Sequence, residues 1–207
     1  MRRTRVKFCG LTRVADVEHA CSLEVDALGL VLVPASARYV ELAQARALRK
    51  RIGSSARCVL LFLNPQADTV RKAIDELEPD LLQFHGTEDQ SFCQQFGVPW
   101  LKALSEAVAE TEMEHHQGAC KLLIDSHLPG ALGGTGESID AASFPGDSDG
   151  SRWVLAGGLS PDNVADSINQ LRPFAVDVSS GIESTPGIKD AEKMTAFMTQ
   201  VRHADER

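Results

Sequence analysis

The sequence lacks the features that mark membrane-spanning, disulfide-rich and zinc-binding proteins. No stretch comes near the roughly 18 consecutive apolar residues that a membrane span requires. The five cysteines are odd in number and none is spaced as Cys-x-x-Cys, which argues against both a disulfide framework and a zinc site. The basic start of the chain is not followed by the long apolar segment and cleavage site of a secretory signal. We therefore expect a cytoplasmic protein with reduced thiols.

The sequence also has no excess of positive charge. Its 21 lysine and arginine residues are outnumbered by 29 acidic residues, and the formal net charge is −8. Nucleic acids and anionic membranes are bound through basic patches that displace counterions, so neither is an expected partner. The content of 43% hydrophobic and 24% charged residues is typical of a soluble globular protein. An anionic small-molecule substrate would have to be attracted locally.

Short strand-forming runs alternate with amphipathic segments, a pattern typical of parallel strands joined by helices. The candidate strands are Arg5–Cys9, Ala27–Val31, Arg57–Leu63, Leu81–His85, Trp100–Leu104, Lys121–Asp125, Trp153–Ala156 and Phe174–Val178. The candidate helices are Val14–Leu23, Leu42–Ile52, Ala67–Leu77, Asp89–Phe96, Glu106–His115, Pro161–Gln170 and Asp190–Arg202, and residues 138–151 hold only a short helix or a loop.

Eight strands in 207 residues predict an α/β fold, a single (β/α)8 TIM barrel, with residues 1–207 as one catalytic domain. A doubly wound sheet is the alternative. Such a sheet gathers its ligand at one switch point, whereas the polar residues of this sequence follow many different strands, as the mouth of a barrel requires.

Glycine-containing turns follow the last two candidate strands. Gly157 and Gly158 come after the seventh strand, and Ser180 and Gly181 come after the eighth. In a barrel these neighbouring loops commonly bind phosphate, because bare backbone N–H groups can approach the anion. A single pair of glycines is also an ordinary turn. Since two such turns occur together, we predict a phosphate site at these four residues.

Side chains that could transfer protons or bind a ligand lie at the ends of other strands or in the loops that follow them. Asp125 is either a proton donor or the cap of a turn, and Cys9 is either a buried apolar residue or a thiol in the barrel mouth. A thiol base needs a stabilised thiolate, and we expect helix dipoles or Arg38 to lower the pKa of Cys9. Arg38 either clamps a carboxylate or is solvated, and His85 either lines the site or bonds a neighbouring carbonyl. Residues 130–136 are glycine-rich and predict a mobile active-site loop.

The remaining cysteines and three further histidines carry no such signal. The cysteines lie within helix or strand patterns and are expected in the core. The histidines have no other metal-binding residues at a suitable spacing and are expected at the surface. These residues are Cys21, Cys58, Cys93 and Cys120, and His115, His116 and His203.

Taken in order, the motifs resemble those of phosphoribosylanthranilate isomerases. The resemblance runs from residue 7 to about residue 197 and is carried by Lys7–Thr12, Ser36–Val40, Leu82–Gly86, Leu123–Ser126, Gly133–Gly136, Leu155–Leu159, Val176–Glu183 and Pro186–Asp190. The glycine turns occur in many phosphate-binding barrels, but the Cys-Gly start combined with the arginine loop is more specific. Phe8, Ala37 and the segment Glu137–Asp140 depart from the usual pattern.

The resemblance implies a metal-free and cofactor-free Amadori rearrangement of N-(5′-phosphoribosyl)anthranilate to 1-(2-carboxyphenylamino)-1-deoxyribulose 5-phosphate. By the same resemblance Asp125 is the general acid and Cys9 the general base. Arg38 holds the anthranilate carboxylate, and His85 and Asp177 line the sugar region. The family contains monomers and homodimers.

Two rival functions fit parts of the sequence. Another phosphosugar barrel isomerase, including the variant that also processes a histidine-pathway intermediate, would be expected to have a carboxylate at position 9, where this chain has Cys9. A catalytically silent phosphate-binding barrel would keep the glycine turns but could lose the acid or the base. Both groups are present, which favours the isomerase.

Overall fold

The computed structural model describes residues 3–105, 109, 112–125 and 153–206. Eight strands close into a parallel barrel in sequence order, which confirms the predicted fold. They are β1 (Arg5–Cys9), β2 (Ala27–Val31), β3 (Arg57–Phe62), β4 (Leu81–Phe84), β5 (Trp100–Ser105), β6 (Lys121–Asp125), β7 (Trp153–Ala156) and β8 (Ala175–Val178).

Helices surround this barrel, and a small hairpin follows its last strand. The helices are α1 (Val14–Ser22), α2 (Leu42–Ile52), α3 (Ala67–Leu77), α4 (Gln90–Gln94), α5 (Val164–Leu171) and α6 (Ala191–Asp205). Short 3-10 turns occupy Met113–His116 and Ser180–Ile182, and β9 (Glu183–Thr185) pairs with β10 (Ile188–Lys189). None of the helices in the described ranges is long and apolar enough to cross a membrane.

The predicted strands agree with the observed ones to within one residue at each end, whereas three predicted helices differ by two or three residues at one end. The predicted helix Asp89–Phe96 spans only Gln90–Gln94, and the predicted helix Asp190–Arg202 continues to Asp205. The predicted helix Pro161–Gln170 begins only at Val164. The side-chain oxygen of Asn163 accepts a hydrogen bond from the Ser160 amide at 2.8 Å, which closes a turn before the helix. The predicted loop 130–136, the segment 138–151 and most of the predicted helix Glu106–His115 lie outside the described residues.

Alternation along β1 divides its side chains between two cores. Phe8 points outward to the helices and packs edge to face on Phe197 of α6, with ring centroids 6.0 Å apart. Lys7 and Cys9 point into the barrel, because successive side chains of a strand face opposite sides. Cys9 clusters there with Val31 and Leu61.

A buried ion pair ties together the loops that follow β3 and β4. Lys102 donates to Glu88 at 2.9 Å, and both side chains are 3% exposed. The Glu88 carboxylate also accepts the backbone N–H groups of Asn64 at 2.7 Å and Gly86 at 2.8 Å. These bonds fix the loops that lead into this side of the barrel mouth.

A second buried cluster joins the loop after β2 to the C-terminal hairpin. Glu183 accepts two hydrogen bonds of 2.8 Å from Nε and Nη2 of Arg38. It also accepts one of 2.8 Å from Lys189, whose ammonium donates to the Ser179 carbonyl at 3.0 Å as well. One carboxylate therefore neutralises two cations from distant parts of the chain.

We predict that Glu183→Gln lowers the free energy of unfolding by about 3 kcal/mol near neutral pH, because it leaves buried cations without their counterion. Burial opposes ionisation, but hydrogen bonds and charges from Arg38 and Lys189 outweigh it and hold the pKa of Glu183 below 4.5. A depressed carboxyl pKa stabilises the fold above the unfolded pKa, and that stabilisation disappears as pH falls through the folded pKa. The deficit of the variant should therefore shrink below pH 4.5.

Urea unfolding near neutral pH and at about pH 3 measures this difference. Glu76→Gln is the matched control, because Glu76 pairs with Arg46 at the surface, where the two side chains are 26% and 51% exposed. It should cost at most about 1 kcal/mol. An equal deficit for Glu183→Gln at both pH values would show that the charge of Glu183 does not stabilise the fold.

Candidate active site

A cavity of about 520 Å³ opens at the carboxyl ends of the barrel strands. Every site residue expected from the sequence lines it except Gly181, and they come from six different strands or the loops that follow them. The lining members are Cys9, Arg38, His85, Asp125, Gly157, Gly158, Asp177 and Ser180. The closed barrel thus brings together side chains that are far apart in the sequence.

The strand order separates the expected acid from the expected base. Asp125 ends β6 and Cys9 ends β1, with β7 and β8 between them around the barrel. The turns that follow β7 and β8 are the glycine-containing ones. A ligand anchored at these turns therefore lies between a carboxyl group and a thiol.

The turn after β7 has a backbone that favours glycine. Gly157 and Gly158 have φ angles of 88° and 59°, in the left-handed region where a side chain is strained. The side-chain amide of Asn163 donates to the Gly158 carbonyl at 2.9 Å and so fastens the turn to the start of α5. The peptide groups of this turn consequently border the cavity without side chains in front of them.

Gly181 does not line the cavity and has a packing reason to be glycine. A Cβ atom at this position would collide with the backbone carbonyl oxygen of Leu159. The loops after β7 and β8 are therefore in direct backbone contact. Ser180, one residue earlier, does border the cavity.

Arg38 is held in the mouth by two contacts that sequence reasoning missed. Its guanidinium is bound by Glu183, and its side chain is only 23% exposed, so it is not a solvated loop residue. The aliphatic stem lies over Gly10, where a Cβ would collide with the Arg38 side chain. Two of the five guanidinium N–H groups bond Glu183, which leaves three for a ligand.

The expectation of a lowered thiol pKa is wrong for Cys9. Cys9 is 6% exposed, and its burial raises the pKa of the thiol above the ordinary value. Lys7, and to a smaller extent Lys189, oppose this rise by favouring the thiolate, whereas Asp177 adds to it. The cations that favour the thiolate are thus Lys7 and Lys189, whereas Arg38 donates two hydrogen bonds to Glu183.

Lys7 is the main functional candidate that sequence reasoning overlooked. Its ammonium donates to both oxygens of Asp177, at 2.9 Å and 2.8 Å, inside the barrel. Burial lowers the pKa of Lys7, but Asp177 and Cys9 outweigh that effect and raise it overall. The signal was present in the sequence, because Lys7 lies two residues before Cys9 and therefore on the same face of β1.

His85 is a neutral side chain in this cavity. Burial and the nearby Lys7 lower the pKa of His85 to about 4, although Asp125 and Glu88 act in the opposite direction. Its Nε2 contacts the side-chain amide of the buried Gln83. Because Gln83 occupies Nε2, the ring nitrogen left for a ligand is Nδ1.

Two residues outside the cavity differ from the sequence-based expectation. His116 is buried, not at the surface, because its ring packs edge to face on Trp100 with centroids 6.1 Å apart. Cys120 is exposed, not in the core, since it lies just before β6 begins. Of the others, Cys58 and Cys93 are buried, Cys21 is partly exposed, and His115 and His203 are exposed.

Comparison with known proteins identifies the family. The family model described as N-(5'phosphoribosyl)anthranilate (PRA) isomerase matches residues 6–200. An N-(5'-phosphoribosyl)anthranilate isomerase from Stenotrophomonas maltophilia (strain K279a) is 45% identical over 208 residues, with 98% of this chain and 95% of the relative covered.

Solved structures agree with this similarity. Phosphoribosyl anthranilate isomerase from Thermotoga maritima superposes with a TM-score of 0.88 at 30% identity, over 97% of this chain and 99% of that one. A phosphoribosyl anthranilate isomerase in complex with reduced 1-(o-carboxyphenylamino)-1-deoxyribulose 5-phosphate superposes with a TM-score of 0.81 at 27% identity, over 97% and 99%. The chain therefore belongs to the N-(5′-phosphoribosyl)anthranilate isomerase family of tryptophan biosynthesis, whose members are aldose–ketose type isomerases.

Proposed function

We propose that this chain catalyses an Amadori rearrangement by general acid–base catalysis, with Asp125 as the acid and Cys9 as the base. The substrate is N-(5′-phosphoribosyl)anthranilate and the product is 1-(2-carboxyphenylamino)-1-deoxyribulose 5-phosphate. The observation that carries the assignment is that a carboxyl group and a thiol border one cavity on opposite sides of the two glycine turns. Acid and base must reach different atoms of the same sugar.

The reaction starts with proton transfer from Asp125 to the furanose ring oxygen. The bond from C1′ to that oxygen breaks, and the nitrogen lone pair forms an iminium. The thiolate of Cys9 then removes the C2′ proton, and the released electron pair forms the C1′=C2′ double bond and neutralises the nitrogen. The resulting enolamine tautomerises to the ketone. All electrons stay within the substrate, so the mechanism calls for neither a metal ion nor an organic cofactor.

Binding is assigned to groups around this pair. Backbone N–H groups of Gly157, Gly158 and Ser180 border the cavity and hold the phosphate, and Gly181, packed against Leu159, fixes the second turn behind them. The guanidinium N–H groups of Arg38 that Glu183 leaves available hold the anthranilate carboxylate. Neutral His85 and the Lys7-paired Asp177 line the sugar region. The fixed fork of an arginine suits a planar carboxylate.

The proposal extends to the setting of the reaction. Residues 1–207 act as one catalytic domain in the cytoplasm, as a monomer or a homodimer, with the phosphorylated substrate as partner and not nucleic acid or a membrane. Support comes from the family match over residues 6–200. The five cysteines are free and the net charge is −8, which suits a reducing compartment and disfavours a polyanionic partner.

The acid–base assignment predicts that Cys9→Ala and Asp125→Asn each lower kcat by about 10²- to 10⁴-fold. KM should change much less, because neither residue anchors the phosphate. Purified protein and freshly made phosphoribosylanthranilate are used, and the loss of substrate fluorescence is followed. Cys93→Ala is the matched control, since Cys93 is buried outside the cavity. Near wild-type kcat in both Cys9→Ala and Asp125→Asn would refute the pair.

The same assignment predicts a bell-shaped dependence of kcat and of kcat/KM on pH, because only the form with protonated Asp125 and deprotonated Cys9 is active. The alkaline limb belongs to whichever of the two groups titrates at the higher pH. Burial raises the pKa of the Cys9 thiol in the ligand-free protein, so the alkaline limb of kcat/KM should lie above about pH 8.5, where an ordinary thiol titrates.

Carboxylate recognition predicts that Arg38→Lys raises KM by about tenfold or more although the charge is kept, because the bidentate fork is lost. An analogue without the carboxylate should lose little further affinity in this variant. Arg13→Lys is the control, since Arg13 makes a bidentate pair with Asp16 outside the cavity. If the wild type binds substrate and analogue equally well, Arg38 does not recognise the carboxylate.

Phosphate recognition predicts that Gly158→Val raises KM by about tenfold or more, because the new side chain obstructs approach to the turn. Gly97→Val is the matched control for backbone strain, since Gly97 has a φ of 69° and open space around it. Both variants should lose some stability in thermal unfolding, but only Gly158→Val should weaken binding of inorganic phosphate and substrate. An unchanged KM would locate the phosphate elsewhere.

A further inference from the structure

Lys7 lies beside the proposed base inside the barrel, on the same face of β1. Two N–H groups of its ammonium bond the two oxygens of Asp177. The side chains of this pair are 5% and 7% exposed, so water does not screen them. Lys7 and Cys9 are two residues apart on β1 and face the same side of the strand, and this ammonium favours the thiolate of Cys9. Asp177 uses two of the three ammonium N–H groups, so one remains on the side of the thiol.

Gly29 leaves the space in which the sulfur and the ammonium lie side by side. It lies opposite Cys9 in the β1–β2 register. A Cβ atom at Gly29 would be 2.8 Å from the Cys9 sulfur and 3.3 Å from Lys7 Nζ. The φ angle of Gly29 is outside the left-handed region, so its backbone does not demand glycine. Alanine would instead force the thiol away from its present place beside the ammonium.

The other charged groups that face the thiol are already engaged. Asp177 on β8 is paired with Lys7 and disfavours the thiolate. Lys189 on β10 and Arg38 after β2 both donate to Glu183. Lys7 is therefore the cation beside the sulfur that a carboxylate keeps protonated and that retains an N–H group for the thiolate. A protonated amine has no lone pair and cannot take the place of Cys9 as base.

We propose that Lys7 is a positioning residue that stabilises and orients the thiolate of Cys9, and that Gly29 is glycine so that the two groups can meet. The inference rests on the proposed role of Cys9 as base. When the thiol gives up its proton, the ammonium N–H bonds the sulfur anion. After the sulfur takes up the C2′ proton, Lys7 stays paired with Asp177, so its proton is not consumed.

The test is the pH dependence of alkylation of Cys9 by iodoacetamide without substrate, read by mass spectrometry of the peptide that contains Cys9. An opposite charge in contact shifts such a titration by about 1 to 3 pH units. The midpoint should therefore rise by that amount in Lys7→Met, and by about one unit in Gly29→Ala, which keeps both ionised partners. In both variants kcat should fall roughly tenfold for each unit.

Lys102→Met is the matched control, because it breaks an equally buried lysine–glutamate pair outside the cavity. It should leave the Cys9 midpoint at the wild-type value. Gly29→Ala decides the question if Lys7→Met fails to fold around an unpaired Asp177. A wild-type midpoint in folded Gly29→Ala would overturn the inference, as would an equal shift in Lys102→Met.

Failure of the base assignment gives a different result. If Cys9→Ala retained full turnover, the base would be wrong, yet the alkylation profile would still report whether Lys7 acts on the thiol. If Cys9→Ala were inactive while Lys7→Met and Gly29→Ala kept the wild-type midpoint, the positioning role alone would be refuted.

Discussion

Buried positive charge at the carboxyl end of the barrel is the constraint on which the site depends. The side chains of Lys7, Lys102 and Lys189 are 5%, 3% and 0% exposed, and each is paired with a carboxylate. Removing an ion from water costs several kcal/mol unless a partner and further hydrogen bonds replace the solvent. A carboxylate therefore lies beside each cation, and two of these carboxylates, Glu88 and Glu183, also bind the loops at the barrel mouth.

These ion pairs act in different parts of the barrel mouth. The Lys102–Glu88 pair binds backbone groups of two loops and lies outside the cavity. Glu183 holds the guanidinium of Arg38 beside the cavity and also neutralises Lys189. Such groups must be held rigidly to favour one arrangement of a reacting molecule, and buried charge-assisted hydrogen bonds provide that rigidity.

The environment of the thiol shows how burial and charge compete. Burial raises the pKa of Cys9, and the Lys7 ammonium counteracts that rise. Burial and the same ammonium act together on His85 and lower its pKa to about 4. The ammonium of Lys7 thus favours both a negative sulfur and a neutral imidazole. In a water-filled cleft solvent would screen its charge and weaken both effects.

Local sequence patterns determined the strands of this protein and the order in which they follow one another. Strand positions agreed to within one residue because an apolar run fixes a strand wherever it lies in the chain. The sequence also indicated the strand-end residues Cys9, His85 and Asp125, since the carboxyl ends of barrel strands open at one face. The start of α5 was missed because the sequence allows several turns before the helix and does not show that Ser160 donates to Asn163.

The electrostatics of the site were decided by the tertiary structure alone. Arg38 meets Glu183 across 145 positions of sequence, and Lys7 meets Asp177 across 170. The two-residue spacing places Lys7 on the same face of β1 as Cys9, but no periodicity or spacing shows that Asp177 is the partner of this ammonium. Closure of the barrel brings β8 beside β1 and removes both from water. In this interior the effective dielectric constant is lower than in water, so the interactions between these charges are strong enough to set the protonation of neighbouring groups.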